Sequence, residues 1–122
     1  MINLAVFTSS NCHNCGPMKK TIESMREIYG QELNIVYREV DTNTRNMSLA
    51  REWLVSGVPT TIIIRDGAEY GRIVGNMSAE EVRKVIEGII QSDVLPEESR
   101  GVQPSSDTLL QITNEEENTS GV

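Results

Sequence analysis

Hydrophobic residues recur along the first 92 positions in patterns that alternate between those of strands and those of helices. Ile2 to Thr8 is a continuous apolar run of strand length, as expected for a strand buried on both faces. From His13 to Tyr29, apolar residues recur every three or four positions and predict the buried face of a helix: Met18, Ile22, Met25 and Ile28. Leu33 to Val40 is rich in β-forming residues and predicts a second strand.

The same alternation continues in the second half of this region. Apolar spacing from Met47 to Leu54 predicts a short helix that ends near Ser56-Gly57. Thr60 to Ile64 is strongly β-forming, and Asp66-Gly67 predicts a tight turn before a return strand from Tyr70 to Val74.

Ser78 and Glu81, three residues apart, match a capping box at the start of a last amphipathic helix. The element order is therefore β-α-β-α-β-β-α. The first two strands flank a helix long enough for a parallel crossover, and the last two form a hairpin. The sequence predicts an α/β fold, a four-stranded mixed sheet with three helices on both faces, over residues 1–92.

The pattern ends at Asp93. Residues 93–122 contain no aromatic residue, and their seven acidic residues against Arg100 carry −6 of the net charge of −7. Such a segment buries too little apolar area to offset its ordering entropy, so it predicts a flexible acidic tail. Leu109 to Ile112 is its apolar exception, either part of that flexible tail or a short docking motif. Neither part has a basic patch, so we expect no nucleic-acid ligand.

The apolar runs are too short for a membrane span, which needs roughly 18 consecutive apolar residues. Residues 1–7 are apolar but have no basic lead-in and no small-residue cleavage site. We therefore expect no signal peptide, no membrane association and a cytoplasmic location.

The two cysteines, three positions apart, are too few for a disulfide scaffold and indicate redox or metal chemistry. Cys12-His13-Asn14-Cys15 falls where the first helix begins, and free N–H groups there stabilise a thiolate. This predicts Cys12 as the attacking thiol and Cys15 as the resolving thiol. His13 and Asn14 are placed to tune the pair. A protonated His13 would raise its reduction potential, whereas a solvated histidine would have little effect.

Zinc is the competing chemistry for this run. Cys12, His13 and Cys15 supply three donors, but a closed structural site needs four, usually as two pairs from separate segments. The chain has no second cysteine pair and no second histidine. We therefore expect no intrachain metal site, although a site shared across a dimer stays open.

Several short runs, taken in order and spacing, resemble the thioredoxin superfamily. The resemblance covers residues 2 to about 91. The runs are Phe7-Thr8-Ser9-Ser10-Asn11-Cys12-His13-Asn14-Cys15, Val40-Asp41, Gly57-Val58-Pro59-Thr60, Asp66-Gly67 and Val74-Gly75. It implies a minimal thioredoxin fold in a small thioredoxin- or glutaredoxin-like redoxin.

The resemblance also implies a substrate groove. By analogy, Pro59 is cis and lies beside the disulfide, and Val58 offers backbone groups to an extended substrate segment. Gly75, Asn76 and Met77 would edge the same groove.

Three positions depart from the family pattern. Asn11 stands where thioredoxins usually carry tryptophan, and Val6 stands where they have a buried aspartate. Tyr37 and Glu39 are then the candidates for relaying a proton to Cys15. Gly75 is not followed by the second glycine that glutaredoxins use near glutathione, so glutathione is a doubtful specific partner.

The activity implied is that of a thiol–disulfide oxidoreductase, a dithiol electron donor that reduces client protein disulfides. Ribonucleotide reductase would be one such client. A thioredoxin-reductase-like or glutathione-linked system would recycle a monomer with no cofactor beyond its redox-active disulfide. Two alternatives remain: a non-enzymatic module that recruits a partner through the acidic tail, and a more oxidising disulfide oxidant or isomerase.

Overall fold

The computed structural model describes residues 2–91, which hold all the elements predicted before the tail. The order β-α-β-α-β-β-α is confirmed. The tail predicted at 93–122, with Leu109–Ile112, lies outside the described residues. The strands are β1 (Ile2–Thr8), β2 (Leu33–Glu39), β3 (Thr60–Arg65) and β4 (Ala68–Val74), and the helices are α1 (Cys15–Tyr29), α2 (Thr44–Glu52) and α3 (Ala79–Gln91), with a 3₁₀ turn at Gly30–Glu32.

The four strands form one mixed sheet in the order β2-β1-β3-β4, as predicted. β1 is parallel to β2 and antiparallel to β3, while β3 and β4 form the antiparallel hairpin. The helix α1 supplies the crossover that the parallel pair requires. As a central strand, β1 is buried on both faces, which explains its continuous apolar run.

The two faces of the sheet carry separate cores. On one face, α1 and α3 cover a large cluster that includes Leu4, Val6 and Ile63. On the other, α2 and the residues after it cover Ala5, Phe7 and a smaller cluster. Three helices on both faces of the sheet are therefore confirmed.

Helix ends differ from the predicted limits by a few residues, each with a local cause. The helix α1 begins at Cys15 rather than His13, and Pro17 lies in its first turn, where a missing N–H breaks no intrahelical bond. The Asn43 side chain caps α2 by accepting the Arg45 amide at 2.9 Å. The helix α2 stops at Glu52, short of Ser56, because Leu54 adopts a left-handed φ of 58°.

The hairpin and the last helix follow their local signals. Asp66 and Gly67 both have positive φ, 53° and 78°, as a two-residue hairpin turn requires. A register shift near Ile63 and Ile64 interrupts the ladder, and β4 starts at Ala68, before the predicted Tyr70. Among residues 2–91, no helix is both long and apolar enough to cross a bilayer.

Candidate functional site

The two cysteines are joined by a disulfide, with their Cα atoms 5.4 Å apart. Cys15 is the first residue of α1 and is 3% exposed. Cys12 lies one turn earlier and is partly exposed, and its carbonyl accepts the Cys15 amide at 3.4 Å. The sequence predicted Cys12 itself at the helix start, whereas the structure places Cys15 there. Cys12 is therefore the more accessible residue of the pair.

Asp41 fastens the loop that carries the cysteines. Its carboxylate accepts the Ser10 amide at 3.0 Å and also accepts the Ser10 hydroxyl. The two residues meet because each follows one strand of the parallel pair β1 and β2, whose carboxyl ends share an edge of the sheet. The hydroxyl and then the amide of Ser10 hold the pKa of Asp41 below its ordinary value.

The lowered pKa of Asp41 predicts that the loop loosens in acid. These bonds favour the folded loop above the ordinary aspartate pKa, near 3.8, and are lost as pH falls through the lower folded value. We expect the Ser10 amide resonance to move in an acid titration followed by NMR. Asp41→Asn, which cannot ionise, is the matched control and should remove that step. A Ser10 resonance that titrates equally in Asp41→Asn would contradict the assignment.

The start of β3 and the end of β4 meet beside the cysteine loop. The Val58–Pro59 peptide bond is cis, and the Pro59 carbonyl accepts the Gly75 amide at 2.8 Å. Gly75 has a φ of +84°, a conformation that favours glycine. Thr60 donates its hydroxyl to the Gly57 carbonyl at 2.6 Å. The structure thus places Val58, Pro59 and Gly75 together.

The remaining residues predicted for the groove lie toward α1 and α3. Asn76 is exposed, and Met77 is half-buried against the α1 and α3 core. Both line a shallow cleft with Pro17, Thr21, Ser78 and Glu81. All the predicted groove residues therefore follow β4 or precede β3, at the end of the sheet where β1 leads into the cysteine loop.

The two proton-relay candidates on β2 have hydrogen-bond partners of their own. The Tyr37 hydroxyl donates to Glu23 on α1, and burial together with this bond raises the pKa of Tyr37 well above its ordinary value. The Glu39 carboxylate accepts the Thr42 hydroxyl at 2.8 Å. Both groups are thus engaged with neighbours other than the cysteines.

His13 is exposed in the structure, and Asn14 makes no side-chain capping bond to α1. An exposed charge interacts weakly with its neighbours because water screens it. We therefore expect His13→Ala to shift the reduction potential of the cysteine pair by less than about 20 mV. Equilibration with glutathione buffers measures that shift, with Asn14→Ala as the comparison. A larger shift confined to His13→Ala would restore the charged imidazole as a determinant.

The structure also shows an anchor that the sequence did not indicate. Arg72 on β4 donates to both Glu69 oxygens at 2.7 and 2.9 Å, to the Trp53 carbonyl at 2.9 Å and to the Leu54 carbonyl at 3.3 Å. It thereby ties the edge strand to the segment that leads from α2 to Val58. Strict strand alternation would put residues 69 and 72 on opposite faces, but the bulge in the hairpin brings them together.

Metal ligands are not grouped in the described part of the chain. Residues 2–91 contain no cluster of three or more histidine, cysteine, aspartate or glutamate side chains able to hold an ion. The two cysteine sulfurs are bonded to each other.

Comparison with known proteins gives consistent matches. The profile of the thioredoxin-like domain family matches residues 3–90. A thioredoxin of Staphylococcus saprophyticus is 30% identical over 86 residues, which is 70% of this chain and 80% of that protein. Thioredoxin H2-1 of Oryza sativa subsp. japonica is 35% identical over 72 residues, 59% of this chain and 51% of the rice protein. The chain thus spans about half of the rice protein, and its match to a thioredoxin domain-containing protein of Acanthamoeba polyphaga mimivirus covers 20% of that protein.

Solved structures agree in fold. Thioredoxin-2 of a malaria parasite superimposes with a TM-score of 0.66 at 21% identity, covering 71% of this chain and 82% of that one. The germline-specific thioredoxin Deadhead of Drosophila melanogaster gives a TM-score of 0.63 at 17% identity, covering 72% of this chain and 80% of its own. Both support the minimal thioredoxin fold.

Proposed function

Because this chain belongs to the thioredoxin-like domain family, we propose that it reduces disulfides in client proteins with electrons from Cys12 and Cys15. The match to thioredoxins supports a thiol redox function for the pair. The observation that carries the finer proposal is their unequal burial. Cys12 is partly exposed and Cys15 is almost completely buried, yet the two are joined by a disulfide. The attacking cysteine must be accessible to a client disulfide, whereas the resolving cysteine has only to reach the attacking one.

The proposed reaction passes two electrons in two exchange steps. The Cys12 thiolate attacks a client disulfide, forms a mixed disulfide and releases one client sulfur, which takes up a proton. The Cys15 thiolate then attacks the Cys12 sulfur, forms the Cys12–Cys15 disulfide and releases the second client sulfur, which takes up the other proton. The client is reduced, and this chain is left in the oxidised form described above.

The surface beside the pair suits an extended client segment. In this proposal Val58 offers backbone groups beside Pro59, and Gly75, bonded to the Pro59 carbonyl, borders the other side with Asn76 and Met77. Exposed apolar side chains lie at the same end of the sheet, namely Leu54 at 62% and Val74 at 69% exposure. Contact with a client would remove both from water.

The cellular setting follows from the same proposal. A cytoplasmic monomer would need a reductase, thioredoxin-reductase-like or glutathione-linked, to return the disulfide to the dithiol. Ribonucleotide reductase would be one client of such an electron donor. No cofactor beyond the Cys12–Cys15 pair enters the reaction.

Electron transfer and reduction potential together test the function. The reduced protein mixed with insulin should release insulin thiols as the Cys12–Cys15 disulfide forms. A potential of about −270 mV fits a reductase, whereas about −180 to −120 mV fits an oxidant or isomerase. No transfer in either direction would overturn the proposal and favour a non-enzymatic binding module.

A further inference from the structure

Two threonine hydroxyls are buried beneath the cysteine end of the sheet without a hydrogen-bond partner. Thr8 ends β1 and Thr61 lies near the start of β3, and each residue is 1% exposed. Within residues 2–91, the Oγ1 atom of each is buried and unpaired. Buried hydroxyls in folded proteins nearly always have a partner, so two unpaired ones close together require an explanation.

Both hydroxyls lie on the sheet face that α1 covers. Val6 belongs to the core under α1, so Thr8, two residues on, shares its face. Ile63 belongs to the same core, so Thr61 shares that face too. Val6 is also the direct cross-strand partner of Thr61. The two hydroxyls are therefore diagonal neighbours on adjacent strands.

The position of α1 places Cys15 over this face, near the end of the sheet that holds Thr8. It opens the buried stripe of α1, followed by Met18, Ile22 and Met25, and these three side chains pack into the core with Val6 and Ile63. As the crossover between two parallel strands, α1 runs back along β1. Its 15 residues span about 22 Å and the seven of β1 about 23 Å, so Cys15 lies level with the Thr8 end.

We infer that Thr61, assisted by Thr8, donates a hydrogen bond to the Cys15 thiolate when the disulfide is open. Neither hydroxyl is hydrogen-bonded to a cysteine sulfur in the oxidised form, and a disulfide sulfur is in any case a weaker acceptor than a thiolate. A buried thiolate is costly unless donors face it. The hydroxyls would thus be satisfied only in the state in which Cys15 reacts. This inference rests on the proposed function and assigns positioning residues to its second step.

The balance of that step is unchanged by the two donors. The Cys15 thiol and the Cys12–client mixed disulfide give the Cys12–Cys15 disulfide and a client thiol, so the Cys15 proton ends on the client sulfur. The threonines keep their own protons. They lower the pKa of the Cys15 thiol and so increase the thiolate fraction that attacks.

The test measures the Cys15 pKa directly. In Cys12→Ser, Cys15 is the one thiol of the chain, and the Cβ shift of ¹³C-labelled cysteine follows its ionisation by NMR. Adding Thr61→Val should raise the Cys15 pKa by about one unit, the size expected for a hydrogen bond to a charged group. Thr61→Ser, which keeps the hydroxyl, should restore it. Thr60→Val is the control, because Thr60 bonds Gly57 and faces α2.

A second readout separates positioning from a structural role. In the otherwise wild-type oxidised protein, Thr61→Val removes an unpaired buried hydroxyl and should leave the urea midpoint unchanged or higher. An unchanged Cys15 pKa in Thr61→Val overturns the inference. A lower oxidised midpoint also overturns it, because it shows that the Thr61 hydroxyl already has a stabilising partner in the oxidised form. If Thr61→Val does not fold, Thr8→Val is measured by the same criterion. Neither measurement uses insulin reduction, so a failure of this inference is distinguishable from a failure of the proposed client reduction.

Discussion

Replacing Cys12 with serine is expected to abolish reduction of a protein disulfide, lowering the rate by about a thousandfold or more. A serine hydroxyl at neutral pH cannot replace a thiolate in disulfide exchange. Cys15 cannot take over because it is 3% exposed at the start of α1. The measurement is the rate at which reduced protein releases thiols from insulin.

The matched control is the same substitution on the buried partner. Cys15→Ser keeps the attacking thiolate but removes the group that resolves the mixed disulfide. Clients should accumulate covalently on Cys12, visible as a mass increase that dithiothreitol reverses. Turnover that survives in Cys12→Ser, or trapping on Cys15 in place of Cys12, would reverse the assigned roles.

Arg72→Ala is expected to lower the free energy of unfolding by about 2 to 3 kcal/mol. The substitution leaves Glu69, whose side chain is 9% exposed, without the guanidinium that binds both of its oxygens. It also frees the Trp53 and Leu54 carbonyls, which Arg72 now holds against β4. Urea denaturation of the oxidised protein measures the loss.

Two further variants identify which bonds matter. Arg72→Lys keeps the positive charge but cannot reach a carboxylate and two carbonyls at once, so we expect it to recover only part of the loss. Pairing Arg72→Ala with Glu69→Gln should cost less than the sum of the single changes, because the double variant leaves no buried charge unpaired. Additive losses would show that the ion pair is not the source of the stability.

The effect of Arg72 on the proposed client groove can be measured separately from its effect on the stability of the protein. Arg72 restrains the segment that runs from Trp53 toward Pro59, and the proposed client groove begins at Val58. Amide hydrogen exchange in Arg72→Ala should therefore quicken from Val55 to Val58 more than in α1.

The elements of this protein are readable from local patterns because each pattern has a local physical cause. The capping box at Ser78 and Glu81 forms bonds of 3.2 Å within one turn of α3. The Asp66-Gly67 turn needs positive φ at both residues, which aspartate tolerates and glycine accepts freely. These contacts join residues at most three positions apart, so sequence spacing alone contains them.

Helix limits were less predictable because they depend on single backbone conformations. The apolar spacing through Leu54 favours a longer α2, but Leu54 itself turns left-handed and ends the helix. Likewise, the sequence indicated that Cys12 lies near the start of α1, but it did not indicate that Cys12 lies one turn before the helix. Periodicity reports which face of a helix is buried and says little about where its hydrogen bonds stop.

The sequence by itself determined the order of elements, the mixed sheet and the Cys12–Cys15 pair, because periodicity and spacing encode these within short stretches. Only the tertiary structure decided what surrounds the pair. It buried Cys15, joined Ser10 to Asp41 and left Thr8 and Thr61 as unpaired hydroxyls on one face. These relations join residues far apart in the chain, and the parallel crossover and the pairing of β1 with β3 set them. No local pattern of hydrophobic and polar positions records such distances.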